Sequence, residues 1–324
     1  MKKPAAIGID VGGTKTLCVL VDKNFRQLEQ AKFKTAPDEG RNRFTRKLTE
    51  SVRALVNAAG AKGFQVVAVG IGCAGAVDEK ELLIKISPNL IALENYPIGK
   101  YVKKMVRAKV TIGNDVQLGI YAEHELGAAK GRSHVLGVFF GTGVGGAAII
   151  NGKLYTGASG FGGQVGSLVA QPVGGPEAAL SHGIIDRIAS KSAIASEALV
   201  MALKNWAPYL HGKVDSDLSK ITWGILERAI MHGDHRIEEM LRARMRVVGI
   251  ALSNVVNFMN PDMVILGGGL VDQMTELVVG EIEAGLREYL TPEVRKAVRI
   301  KPAKLGNAAA AIGAAHQAFT AAMS

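Results

Sequence analysis

Cysteine is scarce in this 324-residue sequence, which contains only Cys18 and Cys73. Two cysteines cannot build a disulfide framework, and such low usage suits a reducing compartment. Because Cys18 lies in a strand-like apolar run and Cys73 in a glycine turn, we expect both to be packing residues. Long apolar runs are also missing: the first one is broken at Asp10, too soon for a signal-peptide core, and no segment is membrane-like. We therefore expect a cytoplasmic protein with no membrane partner.

Acidic residues are fewer than basic ones, and the formal net charge is +10. Clustered lysine and arginine would favour a nucleic-acid partner. The basic residues from Lys100 to Arg107 instead recur at helical spacing, as on the solvated face of an amphipathic helix. Only six residues precede Ile7, the start of the first glycine motif, which leaves no room there for a DNA-reading module. We expect no nucleic-acid partner, and we interpret the charge as steering for anionic nucleotides.

The most informative segment is the glycine turn at residues 10–16, which lies between two short apolar runs. This pattern predicts a hairpin. Gly12 and Gly13 leave backbone N–H groups open to an anion, and Asp10 offers a carboxylate for Mg²⁺. The next three side chains add hydroxyls and a positive charge: Thr14, Lys15 and Thr16. The turn is therefore predicted to bind phosphate; the alternative is a tight hairpin with Asp10 as an ordinary turn residue.

A second copy of this motif occupies residues 137–152. Gly8 and Gly12 match Gly137 and Gly141 at one constant offset, whereas Phe139 stands where the first copy has its aspartate. Similarity at so long a period indicates duplicated domains. The second turn adds these predicted phosphate-binding residues: Gly141, Thr142, Gly143 and Gly145.

Five stretches resemble, in order and spacing, the ROK family of sugar kinases and sugar-responsive repressors: Ile7–Thr16, Val69–Asp78, Val110–Gly131, Phe139–Gly166 and Asn257–Leu270. The resemblance spans nearly the whole chain. It implies an α/β fold of the actin-like, hexokinase-type (ribonuclease H-like) class, with two duplicated domains and an inter-domain cleft. We place one domain at residues 1–115 plus 306–324 and the other at 116–305. Binding across such a cleft predicts closure, which expels water.

Asp115, where a strand-like run meets a helical pattern, is predicted to be the catalytic base. A sugar hydroxyl needs a nearby carboxylate to accept its proton during phosphoryl transfer. The alternative is that the Asn-Asp pair simply caps the helix. The resemblance favours the catalytic interpretation and implies that Asn114 holds the sugar, together with Gly75 and Asn89. Asn89 equally suits a turn after a proline.

The sequence departs from the family at the edge of the sugar pocket, where glucokinase-like members have Glu-x-x-His and this chain has Gln164 and Ser167. The resemblance implies that these two residues contact the sugar without ionisable groups. The zinc cysteines that follow in those members are also missing, so we expect no structural zinc. Glu177 resembles a further sugar-binding glutamate of the family. Gly268 and Gly269 match the loop that accepts the adenosine end of ATP.

These features predict an ATP- and Mg²⁺-dependent kinase that transfers the γ-phosphate to the primary 6-hydroxyl of a hexose, with glucose as the first candidate. The acceptor could instead be an amino sugar or a ketose, such as N-acetylglucosamine, N-acetylmannosamine or fructose. A third alternative is a sugar-binding sensor without turnover, but retention of Asp10 and Asp115 argues against it. We expect a homodimer, although the sequence does not determine the number of subunits.

Overall fold

Two five-stranded β-sheets with equivalent strand orders organise the chain. The computed structural model describes residues 2–87, 90–171 and 183–324. It divides into unit 1, Met1–Gly127 with Asn307–Ser324, and unit 2, Ala128–Gly306. Within the described ranges, no helix combines the length and apolar character needed to cross a bilayer.

Unit 1 contains seven strands and, up to Gly127, three helices among its described residues. The strands are β1 (Lys3–Val11), β2 (Lys15–Asp22), β3 (Gln27–Lys34), β4 (Phe64–Cys73), β5 (Ala76–Asp78), β6 (Leu83–Ile86) and β7 (Lys109–Asn114). The helices are α1 (Arg41–Ala61), α2 (Ile98–Met105) and α3 (Asp115–Glu125).

Unit 2 repeats the strand pattern and adds helices. Its strands are β8 (Val135–Phe140), β9 (Val144–Ile150), β10 (Lys153–Tyr155), β11 (Met263–Gly267) and β12 (Arg299–Pro302). Its described helices are α4 (Ile185–Ala189), α5 (Lys191–Leu203), α6 (Pro208–Val214), α7 (Trp223–Met231), α8 (His235–Met259), α9 (Gly269–Gln273), α10 (Thr275–Glu288) and α11 (Pro292–Ala297). The last helix, α12 (Ala309–Met323), belongs to unit 1.

The sheet orders confirm the duplication that the glycine motifs predicted. The order is β3-β2-β1-β4-β7 in unit 1 and β10-β9-β8-β11-β12 in unit 2. In unit 1, β1 leads into the glycine turn; it runs antiparallel to β2 and parallel to β4. In unit 2, β8 has the same place; it runs antiparallel to β9 and parallel to β11. Each unit therefore presents a glycine hairpin beside the carboxyl ends of parallel strands.

Helices cover both faces of the unit 1 sheet. Helix α1 buries an apolar stripe, including Phe44 and Leu48, in the cluster that contains Ile7 and Ile9. On the other face, α12 packs so closely that a Cβ at Gly8 would overlap the carbonyl group of Ala311. The small-residue composition of α12 is therefore required by its distance from the sheet. Helix α3 also packs against α12, which accounts for its place in unit 1.

The core of unit 2 is built around α8. Its buried side chains, including Met240, Leu241 and Leu252, belong to one cluster with the side chains of α10. The helix ends at Asn260, which adopts a left-handed conformation with φ of 47° immediately before Pro261. The helix ends here because proline cannot continue it.

Candidate active site

The first glycine turn closes the β1–β2 hairpin, as predicted. Val11 pairs with Thr16, and the Gly12 N–H donates to the Lys15 carbonyl oxygen over 3.1 Å. Among the described residues, none accepts a hydrogen bond from the N–H groups of Gly13 and Thr14. The Thr14 side chain is exposed. The turn therefore offers two backbone donors and a hydroxyl to an anion.

Thr35, which follows β3, braces this turn from the interior. Its hydroxyl donates to the Gly12 carbonyl oxygen over 2.7 Å and lies 2.9 Å from the Thr16 hydroxyl. Its backbone N–H also donates to the carbonyl oxygen of Thr14. Both threonine side chains at positions 16 and 35 are fully buried. The Thr16 hydroxyl, which we expected to face an anion, instead helps to hold the turn.

Two carboxylates lie at the carboxyl ends of the parallel strands in unit 1. Asp10 on β1 pairs with Gly72 on β4, which pairs with Gly113 on β7, and Asp115 begins the helix after β7. A Cβ on Gly72 would lie 3.5 Å from the Asp115 Cα atom. Ligands of open α/β sheets bind at this kind of edge. The structure thus brings together the predicted base and the predicted metal ligand.

Burial raises the pKa of both carboxyl groups, and the charge of Asp115 adds to the shift at Asp10. Burial, reinforced by the charge of Asp115, raises the pKa of Asp10 to about 7, although Lys15 opposes the shift. Burial raises the pKa of Asp115 to about 6, and hydrogen bonds from backbone N–H groups partly oppose it. A carboxylate with a pKa near the working pH is suited to general acid–base chemistry.

Asn114 caps helix α3 and anchors a neighbouring loop. Its Oδ1 atom accepts from the Gln117 N–H over 3.0 Å, and its Nδ2 group donates to the Gly75 carbonyl oxygen over 3.0 Å. Gly75 has a positive φ of 95°, and a Cβ there would overlap the Ile86 carbonyl oxygen. The capping role that competed with sugar binding is therefore present at Asn114. One N–H of its amide is not used by these two bonds.

The second glycine turn closes the β8–β9 hairpin, where Phe140 pairs with Val144. The Gly141 N–H donates to the Gly143 carbonyl oxygen over 2.8 Å. No described residue accepts from the N–H groups of Thr142 and Gly143, and the Thr142 side chain is exposed. This turn repeats the donor arrangement of the first one.

A carboxylate that the sequence analysis missed holds the second turn. Asp186, in the first turn of α4, accepts from the Val144 N–H over 2.6 Å. A Cβ on Gly143 would lie 2.8 Å from the same Oδ1 atom. Asp186 lies 42 residues from Val144 in sequence, so no local pattern reveals the contact.

The glycine loop after β11 lies against the end of β8. Gly268 has a φ of 90°, and a Cβ there would overlap the backbone of Phe140. Phe139, the counterpart of Asp10, packs its ring against Gly267 and pairs with Gly145 in the ladder. The predicted phosphate-binding turn and the predicted adenosine-binding loop are therefore direct neighbours in unit 2.

This arrangement of paired glycine hairpins matches a known family. The sequence model of the ROK family matches residues 6–320. The chain belongs to the ROK family. Because the similarity to solved ROK glucokinase and hexokinase structures extends over 98% of the chain, it has their actin-like, hexokinase-type two-domain fold, as the sequence analysis expected.

Several ROK proteins resemble it over nearly their full length. The structure of a ROK glucokinase from Streptomyces griseus, solved in complex with glucose and AMPPNP, superposes with a TM-score of 0.82 at 30% identity, covering 98% of this chain and 99% of that one. A glucokinase of Thermotoga maritima is 28% identical over 97% of each chain. An N-acetylgalactosamine kinase of Shewanella sp. strain ANA-3 is 26% identical over 94% of this chain and 93% of its own.

The ROK positions that differ in this chain lie on a loop packed against the second hairpin. Val165 contacts Gly146, where a Cβ would lie 2.8 Å from the Val165 Cβ, and Gly166 lies against the Val144 carbonyl group. The side chains on either side, Gln164 and Ser167, are both exposed. Close packing at Gly146 and Gly166 thus fixes the backbone of this segment and leaves the side chains of Gln164 and Ser167 exposed.

Two predicted sugar-binding residues, Asn89 and Glu177, lie outside the described residues. So does most of the segment that replaces the zinc cysteines of other members. Among the residues that are described, no three histidine, cysteine, aspartate or glutamate side chains form a metal-binding group. The carboxylate oxygens of Asp10 still fit Mg²⁺, which commonly binds through one or two carboxylates, water and substrate phosphates.

Proposed function

We propose that this protein is an ATP-dependent sugar kinase that phosphorylates the primary hydroxyl of a hexose, with glucose as the first candidate. The observation that carries the proposal is the position of Asp115, a half-buried carboxylate with a pKa of about 6 at the strand ends that also hold Asp10. The glucose and AMPPNP bound to the Streptomyces griseus relative support the choice of both substrates.

Asp115 is proposed as the general base. As the sugar oxygen bonds to the γ-phosphorus, its proton passes to the Asp115 carboxylate, and the bond from the γ-phosphorus to the β,γ-bridging oxygen breaks. ADP leaves with the electron pair of that bond. The hydrogen bond from the Val116 N–H to the Asp115 Oδ1 atom, 2.9 Å long, keeps the carboxylate oriented. Sugar binding by Asn114, Gly75, Asn89 and Glu177 remains part of the proposal.

The nucleotide phosphates are proposed to bind at the glycine turns. Backbone N–H groups of Gly13, Thr14, Thr142 and Gly143 are the available donors, since those of Gly12, Gly141 and Val144 already have partners. Such donors bind phosphate oxygens without side-chain reorganisation. Lys15 adds a positive charge to the first turn.

Asp10 is the proposed protein ligand for Mg²⁺. When bound, the ion neutralises charge on the β- and γ-phosphate oxygens. Without a cation, burial and the charge of Asp115 both oppose ionisation of Asp10, as its raised pKa indicates. A metal-dependent kinase requires a carboxylate such as Asp10 at this position, whereas a sensor without turnover does not.

A coupled assay of ADP release tests the proposal with glucose, mannose, glucosamine, N-acetylglucosamine and fructose as acceptors. We expect sugar-dependent ADP release that is lost in Asp115→Asn. Sugar binding by calorimetry without any ADP release would instead identify a sensor. Omission of Mg²⁺ from the assay tests the metal requirement. A cytoplasmic homodimer remains our prediction, and sedimentation analysis checks its subunit number.

An amino-sugar kinase is the second candidate function. The exposed Gln164 and Ser167 replace an acidic and an imidazole side chain, which changes the sugar edge of the site. The similarity to the Shewanella N-acetylgalactosamine kinase gives this candidate independent support. A higher kcat/KM for an N-acetylated sugar than for glucose in the same assay would favour it.

A further inference from the structure

The indole of Trp223 lies beside the glycine loop after β11 and has no assigned role. Trp223 is the first residue of α7, and its ring is half-buried, packing against the core of unit 2. A Cβ on Gly269 would lie 3.0 Å from the indole Cδ1 atom and 3.2 Å from Nε1. Among the described residues, no aromatic ring or cation stacks on this indole, and none accepts a hydrogen bond from its Nε1.

A short series of contacts joins the second phosphate turn to this indole. The turn at residues 141–143 follows Phe140 directly, the Phe140 backbone lies against Gly268, and Gly269 lies against Trp223. All of these residues belong to unit 2. A nucleotide whose phosphates bind at the turn would therefore extend its other end along the glycine loop toward the indole.

We propose that Trp223 is a purine-binding residue whose indole contacts the base of the nucleotide. The proposal rests on the nucleotide site of the proposed function and adds a specific base contact to it. Aromatic side chains bind nucleobases through their faces, and larger purines gain more contact than pyrimidines. The absence of a side chain at Gly269 leaves the indole edge open to the loop. Trp223 thereby adds to the affinity for a nucleotide beyond what its phosphates supply.

The chain contains only two tryptophans, which allows a direct optical test. Trp206 is exposed and has Lys204 and Arg236 over its ring, so Trp206→Phe removes the other fluorophore from the surface. We expect ADP to change the emission of Trp223 in this variant, while inorganic tripolyphosphate, which has phosphates but no base, leaves it unchanged. Unchanged emission with ADP that calorimetry shows to be bound would overturn the proposal. No calorimetric binding of ADP at all would overturn the proposed function as well.

Affinity measurements on Trp223 variants separate base contact from packing. We expect Trp223→Leu to weaken ADP binding about tenfold and Trp223→Phe to weaken it less, because stacking needs an aromatic face. Tripolyphosphate affinity and the KM for sugar should stay within about twofold, and Trp206→Leu is the matched control. Equal weakening of ADP and tripolyphosphate would show a structural role and refute base contact. If Trp223→Leu does not fold, the fluorescence experiment still decides the question.

Discussion

The β1–β2 hairpin of unit 1 and the β8–β9 hairpin of unit 2 share a backbone plan but are held by side chains of different charge. Thr35 holds the first turn through a neutral, fully buried hydroxyl. Asp186 holds the second through a half-buried carboxylate that accepts from the Val144 N–H. Each brace comes from a different part of its unit, so the two hairpins share a backbone plan but not the residue that supports it.

The same strand position also differs in chemistry between the units. Asp10 in unit 1 pairs with Gly72, and Phe139 in unit 2 pairs with Gly267. The aspartate carries a raised pKa because burial opposes its charge, whereas the phenylalanine packs as an ordinary apolar side chain. We infer that unit 1 performs the proton and metal chemistry. Unit 2 binds the nucleotide without an ionisable group at the position of Phe139. The following predictions test that division.

The largest expected effect is on turnover by unit 1. Asp115→Asn should lower kcat by roughly two to four orders of magnitude, the usual contribution of a positioned acid–base group. ADP affinity, measured by calorimetry, should stay within about twofold because the glycine turns are unchanged. A variant that folds and keeps near-normal turnover would refute the assignment of the base to unit 1.

The pH dependence of kcat/KM should report the ionisation of Asp115. Asp115 must be ionised to accept a proton, and its pKa is about 6, so kcat/KM should fall as pH decreases through this value. The decrease should reach about tenfold per further pH unit, and the residual activity of Asp115→Asn should lack this limb. Because Asp10 interacts with Asp115, the limb belongs to the pair, and saturating Mg²⁺ should shift it to lower pH. A flat profile between pH 5 and 8 would contradict a carboxylate base.

The two turn braces should differ in importance. Thr35→Val keeps the side-chain shape but leaves buried acceptors unpaired, so we expect a loss of about 1–3 kcal/mol in the free energy of unfolding and an approximately tenfold higher KM for ATP. Thr35→Ser should restore most of both. Asp186→Asn keeps an acceptor oxygen and should raise the KM for ATP only two- to threefold.

Thr49→Val is the control for these brace variants. Its hydroxyl donates to the Thr45 carbonyl oxygen over 2.7 Å within α1 and takes no part in the hydrogen bonds that hold the first turn. It should change stability slightly and leave the KM for ATP unaltered. An equal KM effect in Thr35→Val and Thr49→Val would mean that Thr35 acts only through global stability.

Substitutions at Gln164 and Ser167, the proposed sugar edge in unit 2, should give a smaller effect. Hydrogen bonds to Gln164 lack the charge assistance that a glutamate supplies, and Ser167 leaves space that an imidazole would fill. We expect weaker glucose binding and looser discrimination at C1 and C2 than in relatives with Glu-x-x-His. The double variant Gln164→Glu with Ser167→His should lower the KM for glucose severalfold, measured beside mannose and N-acetylglucosamine. Exclusive glucose use that the double variant leaves unchanged would show that these positions do not contact the sugar.

The smallest expected effect is on stability. The pKa of Asp10 is raised to about 7 in the folded protein, so ionisation of this group opposes folding increasingly as pH rises from about 4 to 7. Asp10→Asn removes that cost, and we expect its Tm to exceed the natural Tm by roughly 2–6 °C above pH 7 and to match it near pH 4. Phe139→Leu at the equivalent position should change Tm independently of pH. A stability gain of Asp10→Asn that is constant with pH would contradict the shifted carboxyl group.

Local sequence patterns were sufficient for the hairpins and the duplication, and they also account for the main helices. Helix α1 and helix α8 follow apolar spacing that any helix must satisfy to bury one face. The glycine turns follow from backbone requirements within a few residues. The cap formed by Asn114 is equally local, since its Oδ1 atom bonds only three residues away. These features depend on neighbours in sequence, which is why they could be predicted.

The supports of the site were decided by tertiary structure alone. Thr35 reaches Gly12 over 23 residues and Asp186 reaches Val144 over 42, and neither lies in a periodic or glycine-rich pattern. The inward orientation of the Thr16 hydroxyl likewise depends on its partner at position 35. Trp223 meets Gly269 only because α7 and the loop after β11 pack together. Amino-acid order therefore determined the fold and the positions of Asp10 and Asp115. Packing between distant segments determined how the two turns are held, because such contacts carry no repeating signal along the chain.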